Sequence, residues 1–513
     1  MLRNTYSDRL FLVLILVVLC IVPGSAQVMT SMEDITGGTF KEPYSQKEIT
    51  GLPAFRRIAV VSHPVPESNI RIEVWLPAKN WNGRFLGTGN GGGAGSISYG
   101  ALVSGLRRGF AVANTDMGTS PAAHLLYDSP EKWKDFGYRA THEMTVVAKK
   151  FIREYYGKEP LYSYFQGCST GGQQALSEAQ RYPEDYDGIL AGAPANNRTH
   201  LHAMFLWCHA LCNEDPSLMF TKEQLQKITE TVIRRNAGKD GGASTDNFLT
   251  DPRMAVADVN EFSSFLSEKQ VEILEKILNG PVNSVTGKRI YCPFPPGSED
   301  KPSGLEYFQG KSAVEGLLYP FIWAFGKEFD YRKFDFDRDM AKVDSMLAPI
   351  LNANNPDLLP LKKRNGKIIM YTGTCDPIVP FQDAVNYYER VVEKIGSLEE
   401  TQDFFRYFII PGMNHCGGGP GVNDFGQSFP TPPNPDREQD VLTLLMNWVE
   451  RNEAPERMIA TRYKDGTVEM QRPVYPYPDF PRYKGGDPAK FRNYERVTHP
   501  RGIVPVPAGK YLK

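Results

Sequence analysis

One short motif in the sequence has the composition of a nucleophilic turn. Residues 167–171 read Gly-Cys-Ser-Thr-Gly, which fits the pattern G-x-S-x-G with Ser169 at its centre. A strand-like apolar run at 161–166 precedes the motif, and a helical pattern at 171–182 follows it. A turn this tight needs glycine on both flanks, and it presents the central hydroxyl at the N-terminus of a helix. Gly167 and Gly171 stand two residues before and two residues after Ser169, so the motif predicts Ser169, and not Cys168, as the nucleophile of an acyl transfer.

A serine nucleophile needs a general base and a group that orients the base. His415 follows the apolar run FRYFII at 405–410, and Asp376 follows the run KIIMYT at 367–372. Both side chains thus stand in loops directly after strand-like segments. The resulting chain order of Ser, Asp and His is that of α/β-hydrolases. We predict Ser169, Asp376 and His415 as a catalytic triad.

A glycine-rich loop early in the chain offers the backbone donors that acyl transfer requires. An oxyanion hole needs two N–H groups aimed at the developing negative charge. One is expected from Thr170, directly after the nucleophile. The other is expected from Gly91 or Gly92, in the run Asn-Gly-Gly-Gly that follows a strand-like segment at 84–89. A phosphate-binding role for these glycines lacks support, because no GxxxxGK[ST] pattern is present.

The elements around these motifs predict an α/β fold with a mostly parallel sheet. Strand-like and helical patterns alternate from about residue 56 to 192, cease over 200–350, and resume at 367. We predict an α/β-hydrolase core in two parts, 27–199 and 351–513, with a C-terminal segment that wraps the surface. The region 200–350 is predicted to be a lid insertion.

The N-terminal 26 residues read as an export signal. An apolar run of 13 residues at 10–22 follows two arginines and precedes small residues at 24–26. The run is too short for a membrane-spanning helix, so the mature chain is expected to be secreted or periplasmic, without a membrane association. The 58 basic and 60 acidic residues give a formal charge of −2, which offers no attraction for nucleic acid.

Six cysteines remain after the signal, and an exported protein can pair them. Six cysteines allow 15 connectivities, and spacing does not choose among them. Cys168 adjoins Ser169 and Cys416 adjoins His415, so a formed triad would bring the two cysteines together. A bridge between them is a hypothesis at this point, and the pairing of Cys208, Cys212, Cys292 and Cys375 stays open.

Together these residues resemble the tannase and feruloyl esterase family of secreted α/β-hydrolases. That family carries a cysteine beside the nucleophilic serine and another beside the catalytic histidine, joined in a disulfide; Cys168-Ser169 and His415-Cys416 match this pattern. The resemblance covers about residues 50 to 480 and extends to the segments 136–139 (FGYR), 142–143 (HE), 179–185 (AQRYPED), 187–189 (DGI), 193–195 (APA) and 448–450 (WVE). It implies the Cys168–Cys416 disulfide and a lid that holds the aromatic part of an ester.

The resemblance also raises a structural calcium in an Asp-rich loop of the lid. Asp240 and Asp246 stand at matching positions, but Ala237 replaces an earlier aspartate. Asn236 and Ala255 stand where a flanking pair of cysteines is expected. Hard cations take six or more oxygens, and this loop offers fewer charges than such a site uses. No cofactor is expected for the chemistry, and calcium is left as an open structural question.

The resemblance implies a serine carboxylic ester hydrolase that cleaves phenolic acid esters of the hydroxycinnamoyl, feruloyl type through an acyl-enzyme. The expected substrate is an aryl ester, either small or linked to a polysaccharide. The alternatives are a tannin acyl hydrolase acting on galloyl esters, another aryl monoester hydrolase, a serine peptidase on the same fold, and a catalytically silent glycan-binding hydrolase fold. The aromatic residues of the lid, Phe321, Trp323, Phe325 and Phe329, are interpreted as lid core before substrate contacts.

Overall fold

The computed structural model describes residues 19–22, 25–310, 314–428 and 437–501. Most of the predicted signal segment 1–26 therefore lies outside the described residues. In the described part of the chain, no helix is both long and apolar enough to cross a membrane.

Parallel strands that follow the apolar runs of the sequence form the centre of one large sheet. The strands of the described residues are β1 (Leu19–Val22), β2 (Ser25–Ile35), β3 (Gly38–Lys41), β4 (Glu48–Leu52), β5 (Phe55–His63), β6 (Ile70–Pro77), β7 (Arg84–Thr88), β8 (Ala111–Thr115), β9 (Tyr162–Cys168), β10 (Gly188–Gly192), β11 (Lys367–Gly373), β12 (Phe405–Ile410), β13 (Met458–Lys464), β14 (Thr467–Val474), β15 (Asp479–Tyr483) and β16 (Tyr494–Thr498).

The large sheet has the strand order β1-β2-β5-β6-β8-β7-β9-β10-β11-β12. The strands from β8 to β12 in this order run parallel to their neighbours, whereas β1, β2, β5 and β6 add an antiparallel extension. Every residue of β8, β10, β11 and β12 is buried, as expected for strands covered by helices on both faces. The predicted α/β-hydrolase fold with a mostly parallel sheet is confirmed.

Helices cover the two faces of this sheet and fill the region between β10 and β11. The α-helices of the described residues are α1 (Tyr99–Arg107), α2 (Pro130–Lys134), α3 (Ala140–Tyr156), α4 (Thr170–Arg181), α5 (Arg198–Cys212), α6 (Lys222–Asn236), α7 (Glu268–Asn279), α8 (Val314–Leu317), α9 (Tyr319–Phe325), α10 (Met340–Leu351), α11 (Leu359–Lys363), α12 (Phe381–Ile395), α13 (Leu398–Gln402) and α14 (Val441–Arg451). The helices α5 to α11 follow one another without adding a strand to the sheet. The predicted lid insertion at 200–350 falls in this stretch, and its boundaries stay a prediction.

The C-terminal segment is more ordered than the predicted surface wrap. Its strands form two antiparallel hairpins, β13 with β14 and β15 with β16. Between the hairpins the chain reaches the edge strand β12, where Phe408 pairs with Pro476 and the Tyr477 N–H donates to the Tyr407 carbonyl at 2.7 Å. Covering an edge strand removes an exposed row of backbone hydrogen-bonding groups. The segment thus completes the core, with Tyr477 and Phe480 buried.

Candidate active site

Ser169 occupies a strained turn between β9 and α4. Its backbone has φ 64° and ψ −117°, a conformation that a non-glycine residue adopts only when its surroundings impose it. A Cβ on Gly167 would lie 2.5 Å from the Gly171 carbonyl oxygen, and one on Gly172 would lie 2.2 Å from the Gly192 oxygen. The glycines of the motif are therefore required by the close crossing of strand, turn and helix.

The turn is also fixed by hydrogen bonds of its backbone. The Ser169 N–H donates to the Gly192 carbonyl at 3.0 Å, and its own carbonyl accepts from Gln173 and Ala195 at 3.0 and 3.1 Å. Helix α4 begins at the next residue, so its N-terminal dipole lies beside the serine. This environment favours negative charge at the hydroxyl, which is what a nucleophile needs.

Asp376 and His415 lie in the loops after β11 and β12 and are hydrogen-bonded to each other. His415 Nδ1 lies 2.8 Å from Asp376 Oδ2. The other carboxylate oxygen of Asp376 accepts the N–H groups of Ile378 and Val379, each at 2.9 Å, so this fully buried aspartate is held in place. Burial lowers the pKa of His415, but the charge and hydrogen bond of Asp376 outweigh burial, so that the pKa is raised above its usual value. This pair has the orientation that a general base and its orienting carboxylate require.

The predicted disulfide joins Cys168 and Cys416, with 5.9 Å between their Cα atoms. The residues next to them in sequence are Ser169 and His415, so the bridge holds the serine turn and the histidine loop side by side. Within the described residues the Ser169 hydroxyl makes no hydrogen bond. The hydrogen bond between a catalytic hydroxyl and its base often tightens only when substrate is bound. Four further cysteines are buried free thiols: Cys208, Cys212, Cys292 and Cys375.

The predicted oxyanion donors lie together beside the serine turn. The N–H groups of Thr170, Gly91 and Gly92 donate to no other group in the described part of the protein. A Cβ on Gly91 or Gly92 would meet no atom within 4 Å, so open space adjoins this loop. The Thr170 hydroxyl donates to the Gly92 carbonyl at 2.6 Å and ties the two sources of donors to each other.

Several buried polar residues that sequence reasoning missed hold this loop. The Gly171 N–H donates to the Asn90 carbonyl at 2.8 Å, and the Asn90 N–H donates to Gln174 Oε1 at 2.8 Å. Arg198, which is 3% exposed, donates from Nη2 to the Thr170 hydroxyl at 3.0 Å and from Nη1 to the Tyr319 hydroxyl at 2.8 Å. No motif marks Arg198, because its partners are near only in the folded chain.

The lid residues that the resemblance associates with calcium do not fit a metal ion. Asp240 accepts backbone N–H groups from the loop, among them Thr250 at 2.5 Å and Asp251 at 3.1 Å. Asp246 accepts from Arg472 Nη2 at 2.9 Å, and both of these side chains are almost fully buried. The carboxylate oxygens thus face N–H donors and a guanidinium, whereas a hard cation needs them free.

The aromatic residues of the lid pack mainly against one another and against the core. Trp323 is buried, stacks on Trp133 with 5.6 Å between ring centroids, and donates from Nε1 to the Ala123 carbonyl at 2.8 Å. Phe321 is fully buried and stacks on Phe329 at 5.7 Å. These contacts agree with the interpretation of the aromatic residues as lid core.

Comparison with known proteins assigns the chain to a family. The profile of the family described as "Tannase and feruloyl esterase" matches residues 56–497. An uncharacterized esterase of Xanthomonas campestris pv. campestris is 34% identical, covering 92% of this chain and 89% of the relative. A probable feruloyl esterase B-2 of Aspergillus terreus is 31% identical, covering 84% of this chain and 83% of the relative. The crystal structure of feruloyl esterase B from Aspergillus oryzae has a TM-score of 0.86 at 28% identity, covering 93% of this chain and 98% of that one. This chain therefore belongs to the tannase and feruloyl esterase family and is a carboxylic ester hydrolase.

Proposed function

We propose that this protein is a secreted serine esterase that cleaves hydroxycinnamic acid esters of the feruloyl type. The observation that carries the serine mechanism is the hydrogen-bonded pair of His415 and Asp376, tied by the Cys168–Cys416 bridge to the strained turn of Ser169. A serine presented in this way beside an oriented histidine is suited to nucleophilic attack on an ester carbonyl.

The residues divide the reaction between them as follows. Ser169 Oγ attacks the ester carbonyl carbon while His415 Nε2 takes the hydroxyl proton. Asp376 keeps the proton of His415 on Nδ1, so that Nε2 is the basic nitrogen, and it stabilises the imidazolium that forms. The N–H groups of Thr170 and of Gly91 or Gly92 bind the oxyanion. His415 then protonates the leaving alcohol, and water cleaves the acyl-enzyme.

The feruloyl preference is supported by similarity to named relatives. The relatives from Aspergillus terreus and Aspergillus oryzae are called feruloyl esterases, and both similarities span more than four fifths of this chain. A ferulate ester and a gallate ester differ in ring substituents and in the vinyl spacer, so a small number of pocket side chains decides between them. The preferred ring is therefore the quantity to measure.

Secretion is supported by two independent features. The N-terminal segment has the pattern of an export signal. The bridge of Cys168 and Cys416 beside the reacting groups needs an oxidising compartment to form and persist. Mass analysis of protein recovered from the medium or periplasm tests this part, with a mature N-terminus near Gln27 as the expected result.

The activity is tested with methyl ferulate, methyl gallate and a short-chain p-nitrophenyl ester, assayed side by side on oxidised protein. We expect fastest turnover of methyl ferulate and loss of all turnover in Ser169→Ala. Ser177→Ala, a change on the same helix away from the turn, serves as the control and should keep its activity. Faster turnover of methyl gallate would replace the feruloyl proposal by a galloyl one. Turnover that survives in Ser169→Ala would refute the serine mechanism.

A further inference from the structure

A second cluster of acidic and histidine side chains lies behind the serine turn. His142 belongs to α3, Glu178 to the third turn of α4, and Asp185 to the loop before β10. One potential ligand atom from each of the three lies within 4.8 Å of the other two. Glu178 follows Ser169 by nine residues, about 13 Å along the helix, so the cluster is separate from the reacting groups.

Glu178 is the unusual member of this cluster. Its side chain is fully buried, and neither carboxyl oxygen accepts a hydrogen bond from a donor group in the described part of the protein. A buried carboxyl group that accepts no hydrogen bond is uncommon in proteins, and a bound ion is one explanation for it.

The side chains of Tyr182 and Lys149 adjoin the cluster. His142 Nδ1 lies 2.6 Å from Asp185 Oδ2, and the imidazole stacks on the Tyr182 ring with 3.9 Å between centroids. The nearby cation, Lys149, donates from Nζ to the backbone carbonyl of Asp185 at 2.5 Å rather than to a carboxylate.

We propose that His142, Glu178 and Asp185 form a site for one divalent transition-metal ion of the zinc type. One imidazole nitrogen and two carboxylate oxygens are ligands that zinc prefers, at about 2.0–2.2 Å each. Tetrahedral ligands at those lengths are about 3.3 Å apart, so ligand atoms that now lie within 4.8 Å of one another would shift by up to about 1.5 Å to bind the ion. The two carboxylates balance the ion's charge, and the His142 side chain, 28% exposed, leaves a path for the ion and for a water as fourth ligand.

Such an ion would stabilise the position of helix α4, whose N-terminus lies beside Ser169. It would join α3, α4 and the loop before β10, three segments that are held here by packing and by a few hydrogen bonds. The role is structural, because no reacting group belongs to the cluster. The alternative to a metal ion is a proton shared between Glu178 and Asp185. Glu178→Gln distinguishes the two, because it removes a zinc ligand, whereas its amide can replace a shared proton as the donor to Asp185.

The test uses the full chain, freed of metal by a chelator and then dialysed. ZnCl2 is added, unbound metal is removed, and bound zinc is counted by atomic emission while Tm is followed by scanning fluorimetry. We expect one equivalent of zinc and a Tm that rises with zinc concentration. CoCl2 should give the visible absorption of a tetrahedral cobalt site.

Glu178→Gln and Asp185→Asn should each abolish the bound equivalent and the rise in Tm. Glu184→Gln removes an exposed carboxylate next to the site and should behave as wild type. The amide of Glu178→Gln can donate to Asp185 as a protonated carboxyl would, so this variant is expected to fold. A wild-type protein without bound zinc or a thermal shift overturns the proposal. So does a zinc response retained by Glu178→Gln, which would locate the ion elsewhere, for example at His415.

Discussion

Removal of the Thr170 hydroxyl should slow catalysis without touching either reacting side chain. In the structure this hydroxyl donates to the Gly92 carbonyl at 2.6 Å and accepts from Arg198 at 3.0 Å. Thr170→Val preserves the shape of the side chain and the backbone N–H but deletes both bonds. A neutral hydrogen bond contributes about 1 kcal/mol and one to a charged group about 1.5–3 kcal/mol, so roughly 2–4 kcal/mol of restraint on the glycine loop is lost.

The expected effect on rate follows from the oxyanion-binding role proposed for that loop. Loss of a complete oxyanion donor costs about 2.7–4 kcal/mol in other serine hydrolases, and a donor that is only displaced should cost part of this. We expect kcat on methyl ferulate to fall about 10- to 100-fold, with little change in KM, because the oxyanion that the loop binds forms only in the transition state. Thr170→Ser keeps the hydroxyl and should stay near the wild-type rate. A Thr170→Val enzyme with wild-type kcat would refute the placement of the oxyanion hole at Thr170 and the Gly92 loop.

Three further predictions concern the acid, the bridge and the lid. Asp376→Asn should lower kcat by about 10⁴-fold. It should also move the acidic limb of the kcat/KM profile to lower pH, because burial alone lowers the histidine pKa once the carboxylate charge is gone; an unmoved limb contradicts this. Joint replacement of Cys168 and Cys416 by alanine removes a loop closure of 248 residues, which the chain-entropy model values at about 5.5 kcal/mol. Urea unfolding that shows a loss of stability below about 1 kcal/mol would contradict a stabilising role of the bridge. Arg472→Met should destabilise by about 3–5 kcal/mol, because Asp246 is left buried and unpaired, whereas millimolar CaCl2 should not change the wild-type Tm; a calcium-dependent wild-type Tm would contradict the fit described above.

Local patterns in the sequence were sufficient to predict the serine turn and the strands around it. The G-x-S-x-G motif, the apolar runs and the loop positions of Asp376 and His415 depend on residues near one another in the chain. The structure brings Asp376 and His415 within hydrogen-bonding distance and joins the cysteines beside Ser169 and His415.

Contacts between distant segments were not predictable in the same way. Arg198 reaches Thr170 across 28 residues, and Arg472 reaches Asp246 across 226 residues. An arginine that ends beside a buried carboxylate has the same local sequence as one on the surface. The early strands β2 to β4 and the C-terminal hairpins were missed for a related reason, since their pairing partners, not their own alternation of residues, make them strands.

The strand order explains why a covalent bridge is useful at this site. The serine follows β9 and the histidine follows β12, with β10 and β11 between them, so about 14 Å separate the two strands at the usual spacing. The histidine loop must therefore return over the ends of two strands. Gly373 permits this, because a Cβ there would lie 2.1 Å from the Met413 carbonyl oxygen, and Gly412 turns the chain with φ 70°.

A loop that crosses two strands in this way is held at its base by glycines, which restrict backbone conformation least. The tip of this loop carries His415, and catalytic geometry is sensitive to displacements of about 1 Å. The Cys168–Cys416 bridge attaches the tip directly to the residue before Ser169. Reduction of the bridge should therefore lower kcat per folded molecule, with the folded fraction followed by near-UV circular dichroism. An unchanged kcat per folded molecule would indicate that the bridge stabilises the fold without positioning the histidine.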